Sequence, residues 1–320
     1  MLTIILLLAA GVVLLYFGAE FLVRGGVSIA AGFGVSPLII GLTLVAFATS
    51  APELVVSVQA ALAGSGDISI GNVVGSNICN IALILGLSAV ITPLAVHRKV
   101  IRFDMPILIG ATVAMAAAGC LLGGFSRITG GIFFAGLIAY LLVNIRMEKR
   151  MNAPPPEEAT QTKARPFWLS ILLVLGGLAA LVLGGKLMVD GAVGLGRMAG
   201  LSEAVIGLTI VAVGTSLPEL ATSIVAACRG EQDIAVGNVV GSNMFNTLGI
   251  MGVAPLIRPV SAAGISAVDW GVLLFSTVLL LPFMMTGRRV VRREGALLLL
   301  LYGCYIAFLT VNATLPGGLM

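Results

Sequence analysis

Two carboxylates stand where the chain is otherwise almost uncharged. Glu53 lies in "AFATSAPELVVS", residues 46–57, and Glu219 in "AVGTSLPELATS", residues 212–223. An ionised carboxylate at bilayer depth costs about 2.5–3.5 kcal/mol even on the most lenient scale. Neither glutamate is therefore expected to face lipid. Both are expected to face the protein interior or a wet cavity. Each is preceded by a proline, which has no N–H to give to the helix. Pro52 should release the carbonyl of Ala48, and Pro218 that of Gly214, so the chain is expected to bend around 46–52 and 212–218. Freed carbonyls at membrane depth need a partner, and a cation is one. Thr49 and Glu53 are four residues apart and Ser50 and Glu53 three, which places them on one helical face; Thr215, Ser216 and Glu219 repeat the spacing.

A second polar set follows each motif. Ser76 and Asn80, in "GNVVGSNICN", are four residues apart, as are Ser242 and Asn246 in "GNVVGSNMFN". The glycines of these stretches, Gly71 and Gly75, Gly237 and Gly241, have GxxxG spacing and read as close-packing positions. Together the donors are carboxylate, hydroxyl, amide and main-chain oxygens. Sulfur and imidazole do not contribute, although Cys79 adjoins Asn80. Such a set suits Na⁺, Ca²⁺ or a similar hard cation and disfavours zinc or copper. Two negative charges can neutralise one Ca²⁺ or be shared among several Na⁺.

The elements that must hold these residues are transmembrane helices. Of 320 residues, 59% are hydrophobic and only 10% charged, with a mean hydropathy of +1.12. Globular soluble domains carry about 25% charged residues. A span needs about 20 apolar residues, and ten such stretches can be read: 2–23, 36–62, 70–92, 104–124, 128–145, 167–189, 202–228, 236–257, 268–286 and 294–313. The N-terminal stretch lacks a basic leader and a cleavage signal and is read as a span. The polar stretch 146–166, rich in proline and charge, reads as a linker. Residues 35–93 align without gaps on 201–259 at an offset of 166, with about half of the positions identical. Five spans per half is an odd number, so the halves must enter the membrane from opposite sides, as inverted repeats do. The expected fold class is an all-α polytopic membrane protein of ten helices: a first repeat over 1–145, the linker, and an inverted repeat over 167–320. Placing the N-terminus outside assigns 14 of the 18 Lys and Arg residues to the cytoplasmic side, in keeping with the positive-inside rule. Both termini are then outside, in the cell membrane, and the linker is cytoplasmic.

The paired "TSAPEL"/"TSLPEL" and "GNVVGSN" stretches resemble the alpha-repeats of the sodium/calcium exchanger family, in the cation/calcium antiporter superfamily. The resemblance is specific over 35–93 and 201–259 and looser elsewhere, and the short linker is similar to that of prokaryotic members. It implies ion ligands at Thr49, Ser50, Glu53, Ser76 and Asn80, and at Thr215, Ser216, Glu219, Ser242 and Asn246. It also implies main-chain carbonyl ligands at Ala46 and Ala212. The function it implies is electrogenic exchange of several Na⁺ for one Ca²⁺, with the first and sixth helices sliding across the core. No cofactor is implied beyond the transported ions, and no calcium-sensing regulatory domain. Asn80 and Asn246 depart from the Asp-bearing pattern of potassium-cotransporting relatives.

Two other readings stay open from the residues. A Ca²⁺/H⁺ antiporter of the same fold could use Glu53 and Glu219 as proton carriers. A cation channel also uses carboxylates and carbonyls, but the inverted repeat favours alternating access. The chemistry is that of transport rather than an enzyme. The expected partners are Na⁺, Ca²⁺ and the bilayer; no nucleic acid is implied, since no basic run is interleaved with aromatics, and no protein partner, so the chain is expected to work as a monomer. Cys79, Cys120, Cys228 and Cys304 read as small buried apolar residues, and His97 as a solvated loop residue. At the repeat offset Glu20 corresponds to Lys186 and Arg24 to Asp190. These charges are read as marking the interfacial ends of spans one and six, by headgroup anchoring or in gating.

Overall fold

The computed structural model describes residues 1–151, 166–198 and 212–314. The described residues are mainly helical: α1 (Leu2–Phe33), α2 (Pro37–Thr49), α3 (Ala51–Ala63), α4 (Gly66–Ile91), α5 (Val100–Leu122), α6 (Arg127–Met151), α7 (Phe167–Met198), α8 (Leu217–Cys228), α9 (Gln232–Ile257), α10 (Ala267–Met285) and α11 (Arg292–Thr314). Eight of these are long and apolar enough to cross a membrane among the described residues, and α2 with α3 forms a ninth span bent by 46°. The expected seventh span, 202–228, lies partly outside the described residues; its described part is α8, preceded by a turn of helix at Ala212–Gly214.

Several expected boundaries are corrected. α1 runs to Phe33 rather than 23, and α7 to Met198 rather than 189, because glycine and small residues continue the helix past the charged positions. Glu20 and Arg24 therefore lie inside α1 and not at its end. The expected linker begins as helix: α6 continues to Met151, and Glu148 accepts a hydrogen bond from the backbone N–H of Ser36. Lys99, counted as a loop cation, is buried; its ammonium pairs with Asp104 and with Asn144 Oδ1, and Tyr140 donates to Asp104 at 2.9 Å. Three of the four cysteines, Cys120, Cys228 and Cys304, lie on the protein surface, and only Cys79 is buried. In lipid a small apolar side chain gains as little from the interior as from the outside. His97 is exposed, as expected.

α4 and α9 form the centre. In their apolar stretches 72% and 78% of residues are buried, against 17–39% for the other single-helix spans. Both contain a wide turn, Cys79–Leu85 and Phe245–Ile250, where one extra residue enters the helical turn. Such π-turns recur at functional sites. α1 and α7 form the periphery, antiparallel along their whole length. Gly11 faces Gly184 and Gly18 faces Gly177 across this contact, Gly25 meets Ser170 and Val174, Gly191 meets Leu8, and a Cβ at Gly18 would stand 2.8 Å from the backbone nitrogen of Leu181. Only glycine permits that approach, and it leaves two smooth helix faces.

The contacts define two ends of the bundle. One end, the linker face, gathers Phe33 against Phe167, Ser36 with Glu148, and the strands β1 (Leu94–Ala95) and β4 (Arg289–Val290). The other gathers Arg258 on Leu62 and the strands β2 (Gly124–Phe125) and β3 (Val260–Ser261). These short strand pairs were not anticipated in an all-helical reading. The offset of 166 carries Leu94 onto Val260 and Gly124 onto Val290, so it exchanges one pair for the other across the bundle. Asp269 with Tyr305 likewise echoes Asp104 with Tyr140.

Candidate cation site

Each bend is built in the same way. α3 and α8 carry proline in their first turn, and the residue before each helix, Ser50 or Ser216, departs from helical geometry (φ −80°, ψ 2°; φ −89°, ψ 6°). The break falls just before the proline, which cannot donate and so suits a helix start. Glu53 and Glu219 then sit in the first turn of their helices, where the helix dipole favours negative charge.

The bends face each other. Ser50 donates to Glu219 Oε1 at 3.1 Å, and Ser216 donates to Glu53 Oε1 at 3.1 Å. Each carboxylate is thus held by the serine of the opposite motif. Ser216 also lies 3.4 Å from Ser76, and Thr49 lies 3.4 Å from Ser242. Thr49 Oγ1 is within bonding distance of the carbonyls of Val45 and Ala46 and of Asn238 Oδ1, but its single proton serves one of them at a time. Ala46 O also accepts from Ser50 N. Asn80 donates to Asn243 Oδ1 at 3.0 Å, while Asn246 sits on the wide turn of α9. The structure brings Thr49, Ser50, Glu53, Ser76, Ser216, Glu219 and Ser242 together through these contacts in one centre where α2, α3, α4, α8 and α9 meet, and buries Asn80 and Asn246 four residues beyond Ser76 and Ser242 on α4 and α9. Thr215 is half-buried beside this centre. Ala46 is buried on the same bend, and Ala212 opens the described part of the other.

Sequence reasoning missed the residues that hold the bends. Asn72 donates to Glu53 O and Ser57 Oγ, and Asn238 donates to Glu219 O and Ser223 Oγ. Both asparagines lie in "GNVV", one residue after a glycine read only as packing. Asn77 bonds Thr247, and Asn243 bonds the carbonyl of Asn77, tying α4 to α9. The signal available was recurrence: Asn72, Ser57 and Asn77 all return at the repeat offset. Gly237 and Gly241 do pack closely, a Cβ at Gly241 standing 2.7 Å from that of Ala46, while Gly71 is looser and a Cβ at Gly75 would meet no described neighbour outside its own helix within 4 Å.

Ten buried side-chain polar atoms have no hydrogen-bond partner among the described residues, and six belong to this centre: Glu53 Oε2, Glu219 Oε2, Asn80 Oδ1, Thr215 Oγ1 and both amide atoms of Asn246. Buried polar atoms are nearly always satisfied, so such a concentration fits a site that takes a ligand. Five of the six are oxygens. Among the described residues neither glutamate pairs with a Lys or Arg, and no group of three or more His, Cys, Asp and Glu occurs. Two carboxylates supplemented by neutral oxygens fit a hard mono- or divalent cation.

A helical membrane protein whose broken helices meet at an acidic, oxygen-lined centre has the design of a secondary cation transporter. The chain belongs to the sodium/calcium exchanger protein family, whose family model matches residues 3–146 and 169–311. It is 33% identical over 348 aligned positions to the sodium/calcium exchanger MaX1 of Methanosarcina acetivorans, covering 96% of this chain and 97% of that one. It is 36% identical over 265 positions to the inner membrane protein YrbG of Escherichia coli, covering 79% of each. Its structure is similar to that of the sodium-calcium exchanger NCX_Mj, with a TM-score of 0.83 and 34% identity over 96% of this chain and 98% of that chain.

Proposed function

We propose that the chain is a Na⁺/Ca²⁺ antiporter that works by alternating access. The observation that carries the reading is the set of unpartnered buried oxygens around two cross-bonded glutamates. Glu53 and Glu219 are the charged ligands. Thr49, Ser50, Ser76 and Asn80, their mates Thr215, Ser216, Ser242 and Asn246, and the carbonyls of Ala46 and Ala212 complete the shells. Both glutamates serve either ion, so Ca²⁺ and Na⁺ compete for one centre and a loaded protein alone reorients. With two carboxylates against three or more Na⁺, exchange for one Ca²⁺ moves net charge and is electrogenic.

The repeats are residues 1–145 and 167–320, five spans each, in opposite orientation. The close glycine contact between α1 and α7 supports their moving as one body across the core. The positive-inside bias makes the linker face cytoplasmic, with both termini outside. The inner-membrane designation of YrbG supports the cell membrane as the location. The chain works as a monomer, since both motifs that form the site come from one chain.

The test is Ca²⁺ uptake by proteoliposomes holding the purified chain. An outward Na⁺ gradient should drive uptake, and an inside-positive potential set by a K⁺ ionophore should speed it, because three or more Na⁺ leaving for each Ca²⁺ that enters carry net positive charge outward, down that field. Uptake driven by a pH gradient and indifferent to Na⁺ would make the chain a Ca²⁺/H⁺ antiporter instead.

A further inference from the structure

The two ends of the bundle are not equally closed. On the linker face α1 packs along α8. The pseudo-symmetric contact, α7 along α3, is nearly absent among the described residues. A cavity of about 250 Å³ lies there instead, lined by Lys186, Val189 and Asp190 of α7 and by Pro52, Thr215 and Pro218 of the two bends. The repeats are thus caught in opposite arrangements about one site.

Among the described residues a charge cluster accompanies the closed side. Glu20 is 4% exposed in the middle of α1. Its carboxylate accepts from Arg24, one turn further along, and from both Nε and Nη2 of Arg229, immediately after α8. Headgroup anchoring does not describe a carboxylate turned inward onto another helix. The fork of Arg229 meets it in the two-point geometry that arginine favours. Symmetry supplies no such clasp at the other end. Lys186 replaces Glu20, Asp190 replaces Arg24, and Ala63 stands where Arg229 would be. Residues 34–66, which contain α2 and α3, hold a single charged residue, Glu53, so nothing else on that bend can answer Lys186.

We propose that Glu20, steadied by Arg24 and clasping Arg229, is a one-sided latch that holds α1 against α8 and closes the linker face. The proposal rests on the alternating-access reading. Alternating access requires the α1–α7 pair to leave α8 when the linker face opens. That step breaks the clasp, and the symmetry-related positions Lys186, Asp190 and Ala63 cannot form its equivalent at the other end. The conformation closed at the linker face is therefore favoured, and the carrier presents its site mostly to the opposite face. Glu20 and Arg229 are positioning residues: they touch no ion, and they set how the population divides between the two conformations.

Spin labels on native Cys228 and on Phe33→Cys report the separation of α8 and α1 at the linker face, with Cys79, Cys120 and Cys304 replaced by alanine. In the full-length chain in lipid nanodiscs, Glu20→Gln and Arg229→Gln should each raise the wide-separation population relative to the narrow one by about fivefold, as for a half-exposed ion pair. The double variant should rise no further than either single one, and Arg24→Gln should have a smaller effect. Separations unchanged in both single variants, or effects that add in the double variant, would overturn the latch. If a single variant does not fold, Glu20→Arg with Arg229→Glu decides the matter: a wild-type distribution supports the latch, and an altered one refutes it. These distances are read without transport. Failure of Na⁺-driven uptake with a responsive distance distribution would remove the exchange reading and leave the latch.

Discussion

Glu53→Gln and Glu219→Gln will each lower Na⁺-driven Ca²⁺ uptake by about a hundredfold or more, without unfolding the protein. Glutamine keeps the shape of the side chain and still accepts the proton of Ser216 or Ser50 at the remaining carbonyl oxygen. What it removes is one of two negative charges from a buried centre in which, among the described residues, no Lys or Arg balances them. An interaction with a charged group contributes about 1.5–3 kcal/mol, and each 1.4 kcal/mol is a factor of ten in affinity. Loss of a direct charge on a divalent ion lies at the upper end of that range. Stability should move the other way in ion-free buffer, because an unpaired buried charge is costly and an amide is cheaper. Thermal melting of the Gln variants should therefore match or exceed wild type without Ca²⁺. The upward shift that saturating Ca²⁺ gives the wild type, about 2.7 kcal/mol at a hundred times Kd, should vanish. Retained uptake in either variant would remove that glutamate from the site.

The glutamates were legible because they break the local rules of a membrane chain twice in the same way: a charge, a proline and two hydroxyls inside an apolar stretch. Repetition at a fixed offset then made the pairing of the two motifs legible too, and the cross-bonds of Ser50 and Ser216 realise it. The wide turns at Cys79–Leu85 and Phe245–Ile250 were not legible, since one extra residue in a turn hardly disturbs a hydrophobic period. The Glu20–Arg229 clasp was hidden for a different reason. Its partners are 209 residues apart, and each alone looks like an interfacial charge at the end of a span. The lengths of α1 and α7 were underestimated because their later turns are small and glycine-rich, which lowers the apparent signal while leaving the helix intact. Asn72 and Asn238 were overlooked because their glycine neighbours drew the reading toward packing.

That oversight matters most at Asn238, where the second large effect is expected. Its side chain is fully buried and joins both motifs: Nδ2 donates to Glu219 O at 3.3 Å and to Ser223 at 2.9 Å, and Oδ1 lies 3.1 Å from Thr49 Oγ1. Asn72 makes the corresponding bonds to Glu53 O and Ser57. Among the described residues it does not reach across to the other bend, and Thr215 Oγ1, the mate of Thr49, has no partner. Asn238→Ala therefore frees both bends at once, whereas Asn72→Ala frees one. Each buried group left unpaired costs about 1–3 kcal/mol, and part of that cost returns as displacement of Glu219 and Thr49 from the positions that hold the ion. Asn238→Ala should lower Ca²⁺ uptake at least about tenfold, since one 1.4 kcal/mol misplacement already does so, and should lower Tm by several degrees. Asn72→Ala should do less on both counts. Because the amide is not itself a proposed ligand but positions one on each bend, Thr49 and Glu219, the loss should appear as weaker apparent affinity for Na⁺ and Ca²⁺ alike. A larger defect in Asn72→Ala, or a selective loss of one ion in Asn238→Ala, would show that the two bends are not tied together through this side chain.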